Sequence, residues 1–294
     1  MPTEPRKVQW ELMLPHEMED ALRACPTALV PLGTLEWHGV QNALGLDALK
    51  AHALCVRAAR AGGGVVLPPL YGGVGGVDQP YTVVMEQEPT LVSRLLEPWL
   101  VNLCMELKRI GFRAVIFCTG HYGASQQMVV RETAVRQSQR LDIPILGTPE
   151  YFLALDAGYV GDHGGVFETS LMLELMPDLV DLDRLQGEPP YQGIGGGDAK
   201  RQSSRELGRR FSDVICARLA RLAGRMPGWD VAQRQAFVRA EQAMVSLQLE
   251  LAGRTGSEWA AWRQVTHFTP YGELLAAERF AEIEALVRAF PGLG

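Results

Sequence analysis

The chain has 294 residues, 47% of them hydrophobic, enough to bury a full core as one large domain or as one domain with an appendage. Its net charge of −6 and the lack of any long basic run exclude an electrostatic nucleic-acid footprint, and no apolar stretch is long enough to span a bilayer. Five scattered cysteines, with no Cys-x-x-Cys pair, argue for reduced thiols rather than a disulfide framework, with Cys104 and Cys118 as small core residues. The stretch Met1-Pro2-Thr3-Glu4-Pro5-Arg6-Lys7 has no apolar segment behind it, so a cytoplasmic chain without a secretory signal is expected.

In chain order, the first element is an apolar run over 28–32 that reads as a buried strand, closed by Gly33 and Thr34. Beyond its exit come Glu36 and His38, and then Asp47 at the head of a helical pattern over 48–60. Side chains just past the carboxyl end of a buried parallel strand are where α/β folds hold their ligands. One imidazole and two carboxylates suit zinc, manganese or ferrous iron. A strand over 64–67 follows, then the glycine-rich stretch 70–80, which reads as a loop of the kind that serves a binding site. It lacks the Gly-Lys-Ser/Thr ending of a phosphate loop.

A helix is expected over 90–110, a strand over 114–118 and a helix over 126–141, with His121 in the glycine-flanked exit of that strand. After a strand over 143–146, His163 lies in a glycine-rich turn and Glu168 in the first turn of an apolar helix over 167–175. Alternation of strands and helices implies a parallel sheet covered on both faces. Taken singly, Asp47 and Glu168 read equally well as carboxylates answering helix dipoles, and His121 or His163 as hydrogen-bonded core histidines. Recurrence changes the balance: three of six histidines stand in glycine-flanked turns beside acids or at strand ends, whereas His16, His52 and His267 do not.

A breaker-rich segment over 188–198 precedes a change of character. Helical patterns over 202–225, 231–253 and 272–290, with Trp229, Trp259 and Trp262 around them, form a tail without strand signal. The tail reads as a helical appendage packed on the core or on a neighbouring subunit, or as a lid over the pocket.

Three blocks now stand in order: Gly33, Glu36, Trp37, His38, Gly39 and Asp47; then Gly120, His121, Tyr122, Gly123 and Ala124; then His163-Gly164-Gly165-Val166-Phe167-Glu168-Thr169-Ser170. Together they resemble the creatininase family of metal-dependent amidohydrolases over roughly residues 8 to 226. The resemblance implies a three-layer α/β/α sandwich with a mostly parallel sheet over 1–226 and a helical C-terminal extension over 227–294. It implies two divalent ions, zinc or manganese with iron as a third option, in a homo-oligomer that is often a hexamer. Carried over by position, Asp47 bridges the ions, Glu36 and His121 complete one, and His38 belongs to the other. The family's usual carboxylate two residues after His121 is Gly123 here, and the resemblance to members with glycine at that place, which use the glutamate of the third block, implies Glu168 as the candidate ligand.

Two metals close together lower the pKa of a shared water and polarise the carbonyl it attacks. His163 suits proton transfer to the departing nitrogen, with Glu168 beside it at the site. Tyr122 matches a substrate-contacting tyrosine that holds the carbonyl oxygen or the ring. Tyr159 falls where the family places a tryptophan, and Asp78 lies in a loop that departs from the usual Phe-Pro-Gly-Thr. The implied substrate is therefore a small polar amide other than creatinine, with cyclic amides foremost. Two other readings stay open: a metal hydrolase cleaving a C–C or ester bond in a sugar- or inositol-derived ketone, and a non-catalytic metal-binding scaffold.

Overall fold

The computed structural model describes residues 7–76, 79–86, 93–256 and 262–291, with side chains described outside 262–264. Helix α1 (Pro15–Ala24) leads into strand β1 (Thr27–Gly33), helix α2 (Leu46–Gly62), and the short strands β2 (Val65–Val66) and β3 (Leu70–Tyr71). Next come α3 (Leu96–Ile110), β4 (Ala114–Thr119), α4 (Ala124–Leu141) and β5 (Ile145–Pro149). Then α5 (Val166–Leu175), α6 (Ala199–Gln202), α7 (Arg205–Arg225), α8 (Val231–Thr255), α9 (Tyr271–Ala276) and α10 (Phe280–Arg288) complete the chain.

The sheet runs β2-β1-β4-β5 with every pairing parallel, and β3 pairs β1 further along, Leu32 facing Leu70. Side chains of a strand point alternately to its two faces. Along β4, Ala114, Ile116 and Cys118 enter one core with Leu54 and Ala58 of α2, Leu171 of α5 and Phe211 of α7. Val115 and Phe117 enter the opposite core with Leu100 and Leu107 of α3 and Val130 of α4. Both faces are therefore buried, and the result is the expected α/β/α sandwich.

The tail shares the first of these cores: Phe237, Met244, Leu275 and Ile283 pack in the same cluster as Leu29 of β1. A buried ion pair fastens it. Arg131 of α4 lies 3.5 Å from Glu241 of α8, and Tyr271 of α9 donates to Glu241 at 2.7 Å. The guanidinium also stands 4.8 Å from the Phe152 ring centroid.

Three expected elements differ. In the stretch 70–80, of which 77 and 78 lie outside the described residues, Leu70 and Tyr71 form a two-residue strand paired with β1, too short to show an alternating hydrophobic pattern, and the other described residues are loop. The helix expected over 90–110 runs from Leu96, and 90–92 lie outside the described residues. The single helix expected over 272–290 is two, because Glu278 adopts φ 61 between them, where its carboxylate meets Arg225 at 2.7 Å. Trp259 lies outside the described residues. Among the described residues, no helix is long and apolar enough to cross a membrane.

Candidate metal centre

The carboxyl ends of β1 and β4, the two central strands, open side by side, Leu32 being paired with Thr119. The β1 exit carries Glu36 and His38, and the β4 exit carries His121. The first turn of α2 brings Asp47 between them, and the first turn of α5 brings Glu168. Gly120 permits this approach: a Cβ there would meet the Asp47 carbonyl oxygen at 2.1 Å. Glu36, His38, Asp47, His121 and Glu168 are all buried.

The five residues form two triads that share Asp47. Glu36, Asp47 and His121 offer donor atoms within 4.8 Å of one another, and so do His38, Asp47 and Glu168. His121 Nδ1 lies 2.9 Å from Glu36 Oε2 and 3.1 Å from Asp47 Oδ2. His38 Nε2 lies 3.1 Å from Asp47 Oδ1 and 3.7 Å from Glu168 Oε2. The Asp47 carboxylate therefore turns one oxygen toward each imidazole. A third grouping joins Glu36 and His38 to His163.

Both imidazoles are oriented by backbone carbonyls. A carbonyl only accepts, so His38 Nδ1–H donates to the Glu36 carbonyl at 3.0 Å, and His121 Nε2–H donates to the Gly75 carbonyl at 2.8 Å. The remaining nitrogen of each ring is thereby turned to two carboxylates, the tautomer and aim that metal-binding histidines take from their outer partners. The glycine-rich loop after β3 thus has a definite place: it supplies the Gly75 carbonyl that fixes His121.

Electrostatics point the same way. Burial acts to discharge His38, but the Asp47 carboxylate outweighs it and pushes its pKa up to about 9. His121 is raised well above the usual imidazole range by its hydrogen bonds to Asp47 and Glu36, again against burial. Burial would raise Asp47 and Glu36, yet the imidazoles beside them hold both below the usual carboxylate range. The buried carboxylates demand positive charge, and here protons on the imidazoles provide it. Divalent cations fit the same donor set, which is two carboxylates and an imidazole in each triad.

His163 lies with its ring centroid 4.2 Å from that of His38 and donates from Nε2 to the Trp37 carbonyl at 2.8 Å. Burial, followed by the charge of His38, lowers its pKa, so its Nδ1 carries a lone pair. Tyr122 donates its hydroxyl proton to Glu150 Oε1 at 2.5 Å and sits against Tyr159, whose own hydroxyl reaches it. Tyr159 is fully buried and stacked on Phe211 at 4.9 Å between centroids. Asp78 lies outside the described residues. Gly123 caps α4 and offers no donor; a Cβ there would stand 2.8 Å from His121 Nε2.

Three charged groups of the site did not emerge from the motifs. Lys50, one turn after Asp47 on α2, is fully buried and ion-paired to Glu168 and to Glu150. Glu150 stands at the exit of β5, so the strand-exit rule that found Glu36 and His121 extends to it. Burial raises its pKa to about 7 against the opposing charge of Lys50. Asp162 accepts from the backbone N–H groups of Phe167 and Glu168 at 2.7 and 3.0 Å and so caps α5.

A family model described as creatinine amidohydrolase matches residues 11–223. A creatinine amidohydrolase of Pseudomonas putida is 33% identical over 189 residues, covering 55% of this chain and 69% of that protein. A crystal structure of creatinine amidohydrolase superposes with a TM-score of 0.64 at 26% identity, covering 76% of this chain and 100% of its own. A Zn-Zn form of a creatininase variant superposes at 0.63 with 28% identity, and a creatininase Mn structure at 0.61 with 27% identity. Each covers 75% of this chain and 99% of its own.

Proposed function

This chain belongs to the creatininase family, and on that premise we propose that it is a metal-dependent amidohydrolase that cleaves the C–N bond of a small polar amide. Two divalent ions are the cofactors, in keeping with the zinc and manganese forms of its structural neighbours. One would be held by Glu36, Asp47 and His121 and the other by His38, Asp47 and Glu168. The observation that carries this reading is the aim of the two imidazoles, each spending its far N–H on a backbone carbonyl and facing its near nitrogen to a pair of buried carboxylates.

When bound, the ions supply an acidified water and polarise the carbonyl to be attacked. The chain's own residues do the rest. His163 Nδ1, a free lone pair on a ring steadied through Nε2, takes up the proton released by the attacking water and passes it to the leaving nitrogen. Tyr122 gives its hydroxyl proton to Glu150, so it meets a substrate with its ring rather than as a donor to a carbonyl. Tyr159 backs Tyr122 from the core side and restricts the pocket wall. Cyclic amides are the leading substrates, the family setting implies a homo-oligomer, and the composition suits the cytoplasm.

The test is metal analysis of protein purified without chelators, followed by a panel of cyclic amides, linear amides, lactones and cyclic ketones, with each product examined for the carboxylate and the freed N–H group of C–N cleavage, which stay on one molecule when a ring opens. Two ions per subunit with C–N cleavage of an amide support the proposal. Two ions with turnover of a lactone or ketone and of no amide would replace it by cleavage of a C–C or ester bond. Failure to bind any ion after reconstitution with zinc, manganese or iron would end the hydrolase reading.

A further inference from the structure

Lys50 is a fully buried cation set within the same site. Its ammonium donates to Glu168 Oε1 and to the Tyr122 hydroxyl at 2.9 Å, and it stands 3.1 Å from Glu150 Oε1. Those three contacts use all three of its donor positions. Glu168 is thereby divided. Its Oε1 belongs to Lys50, while its Oε2 accepts the Gly164 N–H at 2.7 Å and lies 3.7 Å from His38 Nε2.

We propose that Lys50 acts as a built-in competitor for the divalent ion of the His38, Asp47 and Glu168 triad. The inference rests on the reading of both triads as metal sites. A fixed ammonium on one oxygen of Glu168 neutralises much of the charge that the other oxygen would offer. It also repels an arriving cation across a short, water-poor gap, where charge–charge effects are strong. Gly123 adds no carboxylate to offset this. The His38 triad therefore binds its ion more weakly than the Glu36, Asp47 and His121 triad, and Lys50 is the cause. Glu150 moderates the effect, because it takes part of the Lys50 charge away from Glu168.

Metal-free protein titrated with zinc by isothermal titration calorimetry tests this without reference to turnover. Wild type is expected to bind in a strong and a weak step. Lys50→Met and Lys50→Gln should tighten the weak step by about tenfold or more and leave the strong one in place. Glu150→Gln should weaken the weak step further, since Lys50 then bears on Glu168 alone. The double variant Lys50→Met/Glu150→Gln keeps the buried charge in balance and serves if the single Lys50 variants do not fold. Glutamine can still donate to Glu168 whereas methionine cannot, so tightening in both marks a charge effect. A weak step that survives in Lys50→Gln and vanishes in Lys50→Met would instead make Lys50 a tether for Glu168 and overturn the inference. Affinities unchanged in every variant would overturn it while leaving the metal sites standing. A wild type that binds no zinc at all would overturn both.

Discussion

Asp47 Oδ2 and His121 Nδ1 stand 3.1 Å apart although 74 residues separate them in sequence. The contact joins the first turn of α2 to the exit of β4, and the other oxygen of the same carboxylate faces His38 Nε2 at 3.1 Å. One short side chain thus serves both triads. Asp47→Asn replaces an anionic oxygen with an amide donor and should remove both ions and with them turnover. Plasma mass spectrometry of the purified variant is the check, and undiminished metal content would take Asp47 out of the shared position.

His163 approaches His38 without sharing its carboxylates, and its Nε2 is occupied by the Trp37 carbonyl. His163→Ala should keep the metal content and slow turnover by about 10²- to 10⁴-fold, the usual contribution of a positioned proton-transfer group. Loss of an ion instead would make it a ligand, through its grouping with Glu36 and His38.

The pair Arg131–Glu241 ties the tail to α4 in a fully enclosed setting. Glu241→Leu strands the guanidinium and should cost about 3 to 5 kcal/mol, because a buried charge is left without its partner. Adding Arg131→Met should recover a large part of that loss. Urea denaturation of the single and double variants gives both numbers; a single variant as stable as wild type would mean that the pair does not hold the tail.

Asp156 receives two hydrogen bonds of 2.5 Å from Arg218 of α7, and these, ahead of the opposing effect of burial, hold its pKa below the ordinary 3.8. A carboxylate with a lowered folded-state pKa stabilises the fold above its unfolded value, and the gain is lost as the pH falls through the folded value. Asp156→Asn should therefore cost about 1 kcal/mol near neutral pH, a partly exposed pair being worth little more. The difference from wild type should shrink toward zero below the ordinary aspartate range. Urea midpoints compared across that range decide it, and a cost independent of pH would assign the effect to packing.

Much of the centre was legible in the chain because its donors sit at places marked by local physics. Apolar runs ending in glycine announce Glu36, His38 and His121 at strand exits, and glycine before an apolar helix announces Glu168. The parallel α/β/α architecture followed from the same alternation. Lys50 and Glu150 were silent for a different reason. A lysine three residues after Asp47 looks like any solvated helix position until the packing of α5 and β5 closes over it. The aim of each imidazole was equally hidden, since it depends on carbonyls of Glu36 and Gly75 whose positions are set by loop conformation.

The sequence by itself determined which donors exist and that strands would deliver them to one edge, because hydrophobic periodicity and glycine punctuation act within a few residues. Only the tertiary structure decided that Asp47 is shared between two triads, that Glu168 is divided between His38 and Lys50, and that α8 locks onto α4 through Arg131. These are contacts between segments far apart in the chain, and they arise where buried charges must find partners once the surrounding layers exclude water.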